Sequence, residues 1–223
     1  MIDQIIKDYS PWFNNISAEL LNNIAANQVQ LNYNKGEILC KQGGFATHIL
    51  FLSSGLIKVY KEHHDKNLIL KIVKPGDFIG LSSLFNKETF DYSAASIDSS
   101  KVFSININSL KLLIKESPEF AERIIRRLNT NTSQYFERII SLTQKQLHGR
   151  IADAIIHLSR DIYQSEKFNM LLTRRDLAEF CGMSTESAIR ILKEFHNDKI
   201  VNLEGKNLEI KSFKLLERLS EVG

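Results

Sequence analysis

The spacing of apolar positions changes character twice along the chain. Residues 10–26 repeat at helical spacing, and Ser17 is placed to cap a helix whose Leu20, Leu21, Ile24 and Ala25 form one stripe. From Val29 to Asn106 the pattern breaks into short apolar or alternating runs: Val29–Tyr33, Glu37–Cys40, His48–Leu52, Leu56–Lys61, Leu68–Val73, Asp77–Ile79, Tyr92–Ile97 and Lys101–Ile105. Turn-forming groups separate them, among them Asn34-Lys35-Gly36, Gly43-Gly44, Ser53-Ser54-Gly55, His64-Asp65-Lys66, Lys74-Pro75-Gly76 and Asp98-Ser99-Ser100. Short strands at such even spacing predict an all-β roll or sandwich.

After Asn108 the helical period returns. Ser117-Pro118-Glu119 is a strong helix start, with an N-cap, a proline at the first position and an acid in the first turn. Ala121, Ile125, Leu128, Thr132, Tyr135, Ile139 and Leu142 then recur at alternating steps of four and three, a heptad seam. Glu122, Arg126, Arg127, Asn131, Gln134 and Arg138 make the opposite face polar. The pattern predicts a long helix pairing in parallel with a second copy, with Thr132 placed to set register across the pair. The alternative is a helix that buries the seam in its own domain. A break at Gln144–Gly149 precedes a helix over Leu147–Tyr163.

The stretch from Leu172 to Phe195 reads as two short helices around a tight turn. Thr173 with Asp176 forms a capping-box variant, Gly182 admits the positive φ of a sharp turn, and Ser184 caps the second helix. Leu177, Ala178 and Cys181 on the first helix meet Ala188, Ile191, Leu192 and Phe195 on the second. Small residues at these offsets suit a helix-turn-helix rather than an ordinary helical hairpin. Its second helix is then expected in the DNA major groove. Glu186 could accept from a cytosine amino group, and Arg190 could donate to guanine O6 and N7. Four residues apart, the two could orient each other. Thr173, Ser184 and the helix N-termini would hold phosphates. Ile200 to Ile210 reads as a hairpin, the wing, with Gly205-Lys206 at its tip, and Phe213, Leu216 and Leu219 mark a closing helix.

Composition narrows the classes without deciding among them. Apolar and charged shares of 43% and 25% are ordinary for a globular chain, and no run of about 18 apolar residues suggests a membrane span. The opening Met-Ile-Asp-Gln-Ile-Ile-Lys-Asp lacks the pattern of a secretory signal. Cys40 and Cys181 lie far apart in apolar patterns, which implies buried thiols and a reducing, cytoplasmic setting. Residues 146–223 hold 12 Lys and Arg against 12 Asp and Glu. A DNA-binding surface there must therefore cluster its positive charge, for which Arg174, Arg175, Arg190, Lys193 and Lys206 are the candidates. His48, His63 and His64 lack the spacing of a metal site, and no nucleophile-elbow motif appears, so no enzymatic activity is expected.

The order of these parts resembles the Crp/Fnr superfamily of bacterial transcription regulators. The resemblance runs from about Val29 to Ile210. It is carried by Lys74-Pro-Gly-Asp-Phe-Ile-Gly80 with Leu84-Phe85, by Gly149-Arg-Ile-Ala152, by Leu172–Phe195 and by the wing. It implies an α+β chain: an N-terminal β-roll sensor (a double-stranded β-helix, jelly-roll-like) at 1–116, a dimerisation helix and hinge at 117–145, and a winged helix-turn-helix at 146–223. It also implies a homodimer on a near-palindromic promoter site, contacts with RNA polymerase, and a hinge through which the roll re-aims the recognition helices. Thr173, Arg174, Arg175, Ser184, Thr185, Glu186, Ser187, Ile189, Arg190, Lys193 and Lys206 are the expected DNA-binding residues. Glu186 and Arg190 match the family's base readers, and Arg174 and Arg175 match positions that commonly touch phosphate. Ile189 departs from the small residue usual there and could meet a thymine methyl.

The sensor departs further. Cyclic-nucleotide binders of the family use an acid on the ribose and an Arg on the cyclic phosphate, and here Leu81 and Tyr92 stand at those positions. Losing one charge-assisted contact costs about 1.5–3 kcal/mol, so cyclic AMP in the usual mode is not expected. Ile79, Gly80, Leu81, Ser82, Ser83, Tyr92 and Ser93 would line a pocket for an unidentified small molecule. No iron–sulfur cluster is expected, because Cys40 is the first cysteine. The rival reading is a small-molecule module whose helix-turn-helix serves protein contacts.

Overall fold

The computed structural model describes residues 10–64, 66–86 and 88–223. The opening segment at 1–8, read above for a secretory signal, lies outside them, as does Asp65 of one predicted turn. Contacts divide the chain into two compact units, Met1–Lys61 with Val73–Gln134, and Glu62–Ile72 with Tyr135–Gly223.

The first unit opens with two helical pieces, α1 (Ser10–Phe13) and α2 (Ala18–Ala26), where the sequence predicts one helix over 10–26. Asn15 adopts a φ of 61° and Ser17 is extended, so the chain turns between them. Ser17 then caps α2 by accepting from the Leu20 amide, as its position predicts. Among the described residues eight strands then follow along the chain, all but Glu62–Ile72 of them within this unit: β1 (Gln28–Tyr33), β2 (Ile38–Cys40), β3 (His48–Ser54), β4 (Ile57–His63), β5 (Lys66–Val73), β6 (Phe78–Ile79), β7 (Ser93–Ser96) and β8 (Ser100–Asn106). They form two four-stranded sheets, of order β1-β8-β3-β6 and β2-β7-β4-β5. Strand β3 lies between β8 and β6, antiparallel to both.

That central position explains why β3 reads as an unbroken apolar run. Ile49 and Phe51 enter a cluster with Phe13, Ile24, Leu110, Phe120 and Ile124 from the helices. Leu50 and Leu52 point the other way, into a second cluster with Ile57, Val59, Ala94 and Val102 from the two sheets. A strand buried on both faces loses the alternation of a half-solvated one.

Helix α3 (Ile107–Glu116) leads into the long α4 (Pro118–Gln144). Within the first unit α4 is anchored by Phe120 and Ile124 and by two arginines. Arg123 Nη1 donates to the Trp12 carbonyl at 3.0 Å, and Trp12 Nε1 donates to the Gly76 carbonyl at 2.7 Å. Arg127 pairs with Asp77, the acid of the Lys74–Gly80 motif, with both side chains largely buried. The even polar face predicted for this helix is thus corrected: Arg127, and Arg138 below, turn inward to partners, because a long aliphatic stem can cross an apolar surface to reach one.

The predicted seam divides in two. Ile125, Thr132 and Ile139 are exposed, whereas Ala121, Leu128, Tyr135 and Leu142 are half-buried against their own chain. Leu128 packs on the first unit's core, and burial pushes the Tyr135 phenol upward. Thr132 Oγ1 donates to the Leu128 carbonyl of its own helix at 3.0 Å. Phe136 and Ile140, outside the predicted seam, are 62% and 55% exposed and join Ile125 (58%) and Ile139 (56%) in one apolar stripe.

The second unit holds α5 (Leu147–His157), a π-helical turn (Leu158–Tyr163), β9 (Lys167–Asn169), α6 (Arg174–Cys181), α7 (Thr185–Asn197), β10 (Val201–Glu204), β11 (Asn207–Ile210) and α8 (Phe213–Val222). The helix predicted through Tyr163 widens after His157 and ends at Gln164, whose φ is 51°. Tyr163 stacks on Phe168 with ring centroids 4.5 Å apart. Ile151, Ile155, Leu177, Phe180, Ile191, Leu192, Phe195 and Leu216 form the buried interior. The β10–β11 hairpin carries a third strand, in the order β10-β11-β9.

Candidate nucleic-acid interface

The capping box at Thr173 forms as its spacing predicts. The Asp176 amide donates to Thr173 Oγ1 at 3.0 Å, and the Thr173 amide donates to Asp176 Oδ2 at 2.9 Å. Gly182 ends α6 with φ 61° and ψ 45°, and its amide returns to the Ala178 carbonyl. A side chain there would be doubly unfavourable, because a Cβ would stand 2.8 Å from Leu142 Cδ2. Ser184 caps α7 by accepting from the Ser187 amide at 3.2 Å. Ala188, Ile191, Leu192 and Phe195 are buried as predicted. Cys181 is sealed between these elements, and burial pushes its thiol up to about 12.

With that face buried, Glu186, Ile189, Arg190 and Lys193 of α7 are exposed, and Thr185 and Ser187 are half-exposed. The carboxylate of Glu186 lies below its ordinary range, held by its own backbone N–H and by Ser184. Arg190 does not meet Glu186. Its Nη1 donates to Glu194 Oε1 at 2.6 Å, and Glu194 Oε2 lies 2.7 Å from His148 Nε2 on α5. The mutual orientation read from the four-residue spacing is therefore corrected. Glu186 is drawn back to the helix N-terminus, where amides and Ser184 solvate its charge, and Arg190 takes the acid one turn further on.

The wing is placed beside this face. Lys206 is exposed at the tip, and Gly205 provides its positive φ of 62°. Arg174 Nη2 donates to the Gly205 carbonyl at 2.9 Å, so this arginine ties the wing tip to the start of α6. Its partial burial holds its guanidinium pKa below the ordinary value. Arg175 Nε pairs with Glu179 Oε1 at 2.9 Å on its own helix and stays largely exposed. A cleft of about 250 Å³ runs between α7 and the wing, lined by Arg174, Ile189, Lys193, His196, Leu203 and Gly205 among others. Glu194, His148 and the wing-tying role of Arg174 have no counterpart in the sequence reading. An acid four residues after a base reader was the available signal.

On the inner side of the unit, Arg138 lies over the Phe180 ring at 4.2 Å and donates to the Phe180 carbonyl. Desolvation lowers its pKa. Arg150 Nε donates to the Lys145 carbonyl at 2.9 Å, and Nη1 reaches the Gly182 carbonyl at 3.4 Å.

Most residues expected to line an effector pocket in the first unit have partners within the chain. The Gly80 amide donates to the Tyr92 hydroxyl at 2.7 Å. Phe90 crowds the same glycine, at 3.0 Å from where a Cβ would stand. Ile79 and Leu81 belong to the two hydrophobic clusters. Ser83 Oγ donates to the Thr89 carbonyl at 3.0 Å, and Ser93 Oγ accepts from the Gln42 amide at 2.9 Å. Ser82 is the exposed member of the predicted set. The tyrosine that stands at the family's arginine position thus bonds to the Gly80 backbone.

Comparison with known proteins finds two family matches along the chain. The family described as "Cyclic nucleotide-binding domain" matches residues 30–117, and that described as "Crp-like helix-turn-helix domain" matches residues 149–219. The chain is 26% identical over 192 residues to the fumarate and nitrate reduction regulatory protein of Yersinia pestis, covering 83% of this chain and 76% of that one. It is 23% identical over 181 residues to the transcriptional activator protein anr of Pseudomonas aeruginosa, covering 79% and 74%. The structure of FixK2 from Bradyrhizobium japonicum is similar with a TM-score of 0.81, at 19% identity and over 88% and 98% of the two chains, a likeness of fold. The reading in which the helix-turn-helix serves protein contacts alone is not favoured by these relatives. Among the described residues no helix is long and apolar enough to cross a membrane.

Proposed function

Because the chain is a Crp/Fnr-type transcription regulator, we propose that it acts in the cytoplasm as a homodimer that reads a near-palindromic promoter site through α7. What supports the reading most is the outward face of α7, where Glu186, Ile189, Arg190 and Lys193 stand exposed beside a wing that Arg174 holds in place. Arg190 reads guanine, Glu186 accepts from cytosine, and Ile189 packs on a thymine methyl. Thr173, Ser184 and Ser187 at helix starts, with Arg175 and Lys206, hold the phosphate backbone and set the depth of α7 in the groove. Residues 146–223 carry no net charge, so affinity comes from this local cluster and falls as salt rises. Contacts with RNA polymerase belong to the same reading. Selection from a random duplex pool is expected to enrich sites with two-fold symmetry and half-sites about one helical turn, roughly 34 Å, apart. Failure to enrich any duplex at low salt would contradict the reading.

The sensor follows a different logic from its nucleotide-binding relatives. Tyr92, bonded to the Gly80 amide, stands at the arginine position, and the buried Leu81 stands at the acid position, so a cyclic nucleotide finds neither a cation for its phosphate nor an acceptor for its ribose. A ligand at about 100 times its Kd would stabilise the fold by about 2.7 kcal/mol. Cyclic AMP at about 1 mM is therefore expected to leave the melting temperature unchanged, and a saturable upward shift would contradict the proposal.

A further inference from the structure

Arg190 is held in a chain of three side chains that neither its role nor its spacing requires. Its Nη1 donates to one oxygen of Glu194, and the other oxygen of Glu194 meets His148 Nε2 on a different helix. The His148 ring in turn packs near Phe195, with centroids 6.1 Å apart. An ordinary exposed pair four residues apart on a helix is weak and leaves both side chains mobile. Here the acid is fixed from its far side, so the guanidinium has a defined partner before any DNA arrives. Glu194 lies below the ordinary carboxylate range, held there by His148 and then by Arg190, so it stays an anion.

We infer that Glu194 is a positioning residue for base reading: it holds Arg190 by one N–H and so presents the opposite edge of the guanidinium to a guanine. A guanidinium has two bidentate edges. Engaging Nη1 leaves the Nε–Nη2 edge with the geometry to take O6 and N7 together. A free arginine loses rotamer freedom on binding, and a side chain already held loses less of it. The inference rests on the DNA-reading role proposed above.

Glu194 is also a negative charge on the DNA-facing side, which gives the idea its competitor. If Glu194 merely occupied Arg190, its removal would tighten specific binding more than non-specific binding. If it positions Arg190, its removal lowers discrimination while affinity for unrelated duplex holds or rises. The test uses the full chain, a duplex enriched by the wild type from a random pool, and that duplex with each base pair replaced in turn. Glu194→Gln is expected to lower discrimination at the pair that Arg190→Ala makes indifferent by about three- to tenfold, within the range a bidentate contact supplies. His148→Ala is expected to lower it at the same pair by less. Melting curves of both variants should match the wild type, since these side chains are near 40% exposed. Unchanged discrimination in Glu194→Gln, or a gain confined to the specific duplex, would overturn the inference while leaving the DNA-reading role standing. A wild type that enriches no duplex would overturn both.

Discussion

Replacing Phe136 and Ile139 together by glutamate is expected to yield a folded monomer that no longer holds a two-fold DNA site. Ile125, Phe136, Ile139 and Ile140 are each more than half exposed on one helix. Fully burying a large apolar side chain contributes about 1.5–3 kcal/mol. Eight such side chains across a pair, each half-exposed beforehand, give on the order of 10 kcal/mol before the cost of association. The double variant places four carboxylates in that seam, and like charges brought together out of water oppose pairing strongly. Neither position contributes to the buried interior, so each protomer should keep its melting temperature. Sedimentation at about 10 µM should report one chain, and affinity for a two-fold site should fall at least about a hundredfold as the linked second contact is lost. A dimer that survives both substitutions would place the pairing surface elsewhere.

Asp153→Ala is expected to destabilise the second unit by about 2–3 kcal/mol. Asp153 Oδ2 accepts from Ser141 Oγ at 2.6 Å, and Oδ1 accepts from Lys145 Nζ at 2.8 Å and from Ser220. Lys145 also donates to Ser220 at 3.2 Å. One carboxylate therefore joins the end of α4, the turn after it, α5 and α8. Removing one partner of a buried pair costs about 3–5 kcal/mol. Side chains near a quarter exposed keep some access to water, which lowers the figure. Asp153→Asn retains an acceptor and should cost about half as much. Denaturant unfolding measures both. A loss under about 0.5 kcal/mol would mean that the cluster does not hold this corner. The corner coincides with the break predicted at Gln144–Gly149, where Gly149 packs so closely on Gly223 that a Cβ would stand 2.8 Å from its backbone.

What the sequence made legible was what depends on neighbours along the chain. Caps at Ser17, Thr173 and Ser184, the turn at Gly182 and the wing tip at Gly205 are local matters of hydrogen bonding and φ, and each forms where its residues predict. The strands of the roll were also legible, because turn residues punctuate them. What depends on distant partners was not. A heptad pattern cannot tell whether Leu128 faces a second copy or its own core, and the core took it. Arg127 reads as surface until Asp77, 50 residues earlier, lies beside it. The seven pocket residues were named by motif, yet the bond from Gly80 to Tyr92, twelve residues on, depends on how the chain folds back. Arg190 has acids at four residues on either side, and it meets Glu194, which also contacts His148 on another helix.

Whether Arg190 reads a base is the central question. Equilibrium binding of the wild type and of Arg190→Ala should be measured at one salt concentration, on the enriched duplex and on its single base-pair replacements. Replacing one guanine in each half-site is expected to weaken the wild type by about tenfold or more, as for the loss of one bidentate contact, and to leave Arg190→Ala indifferent at that pair while its preference elsewhere persists. An Arg190→Ala profile that parallels the wild type at every position would contradict this role.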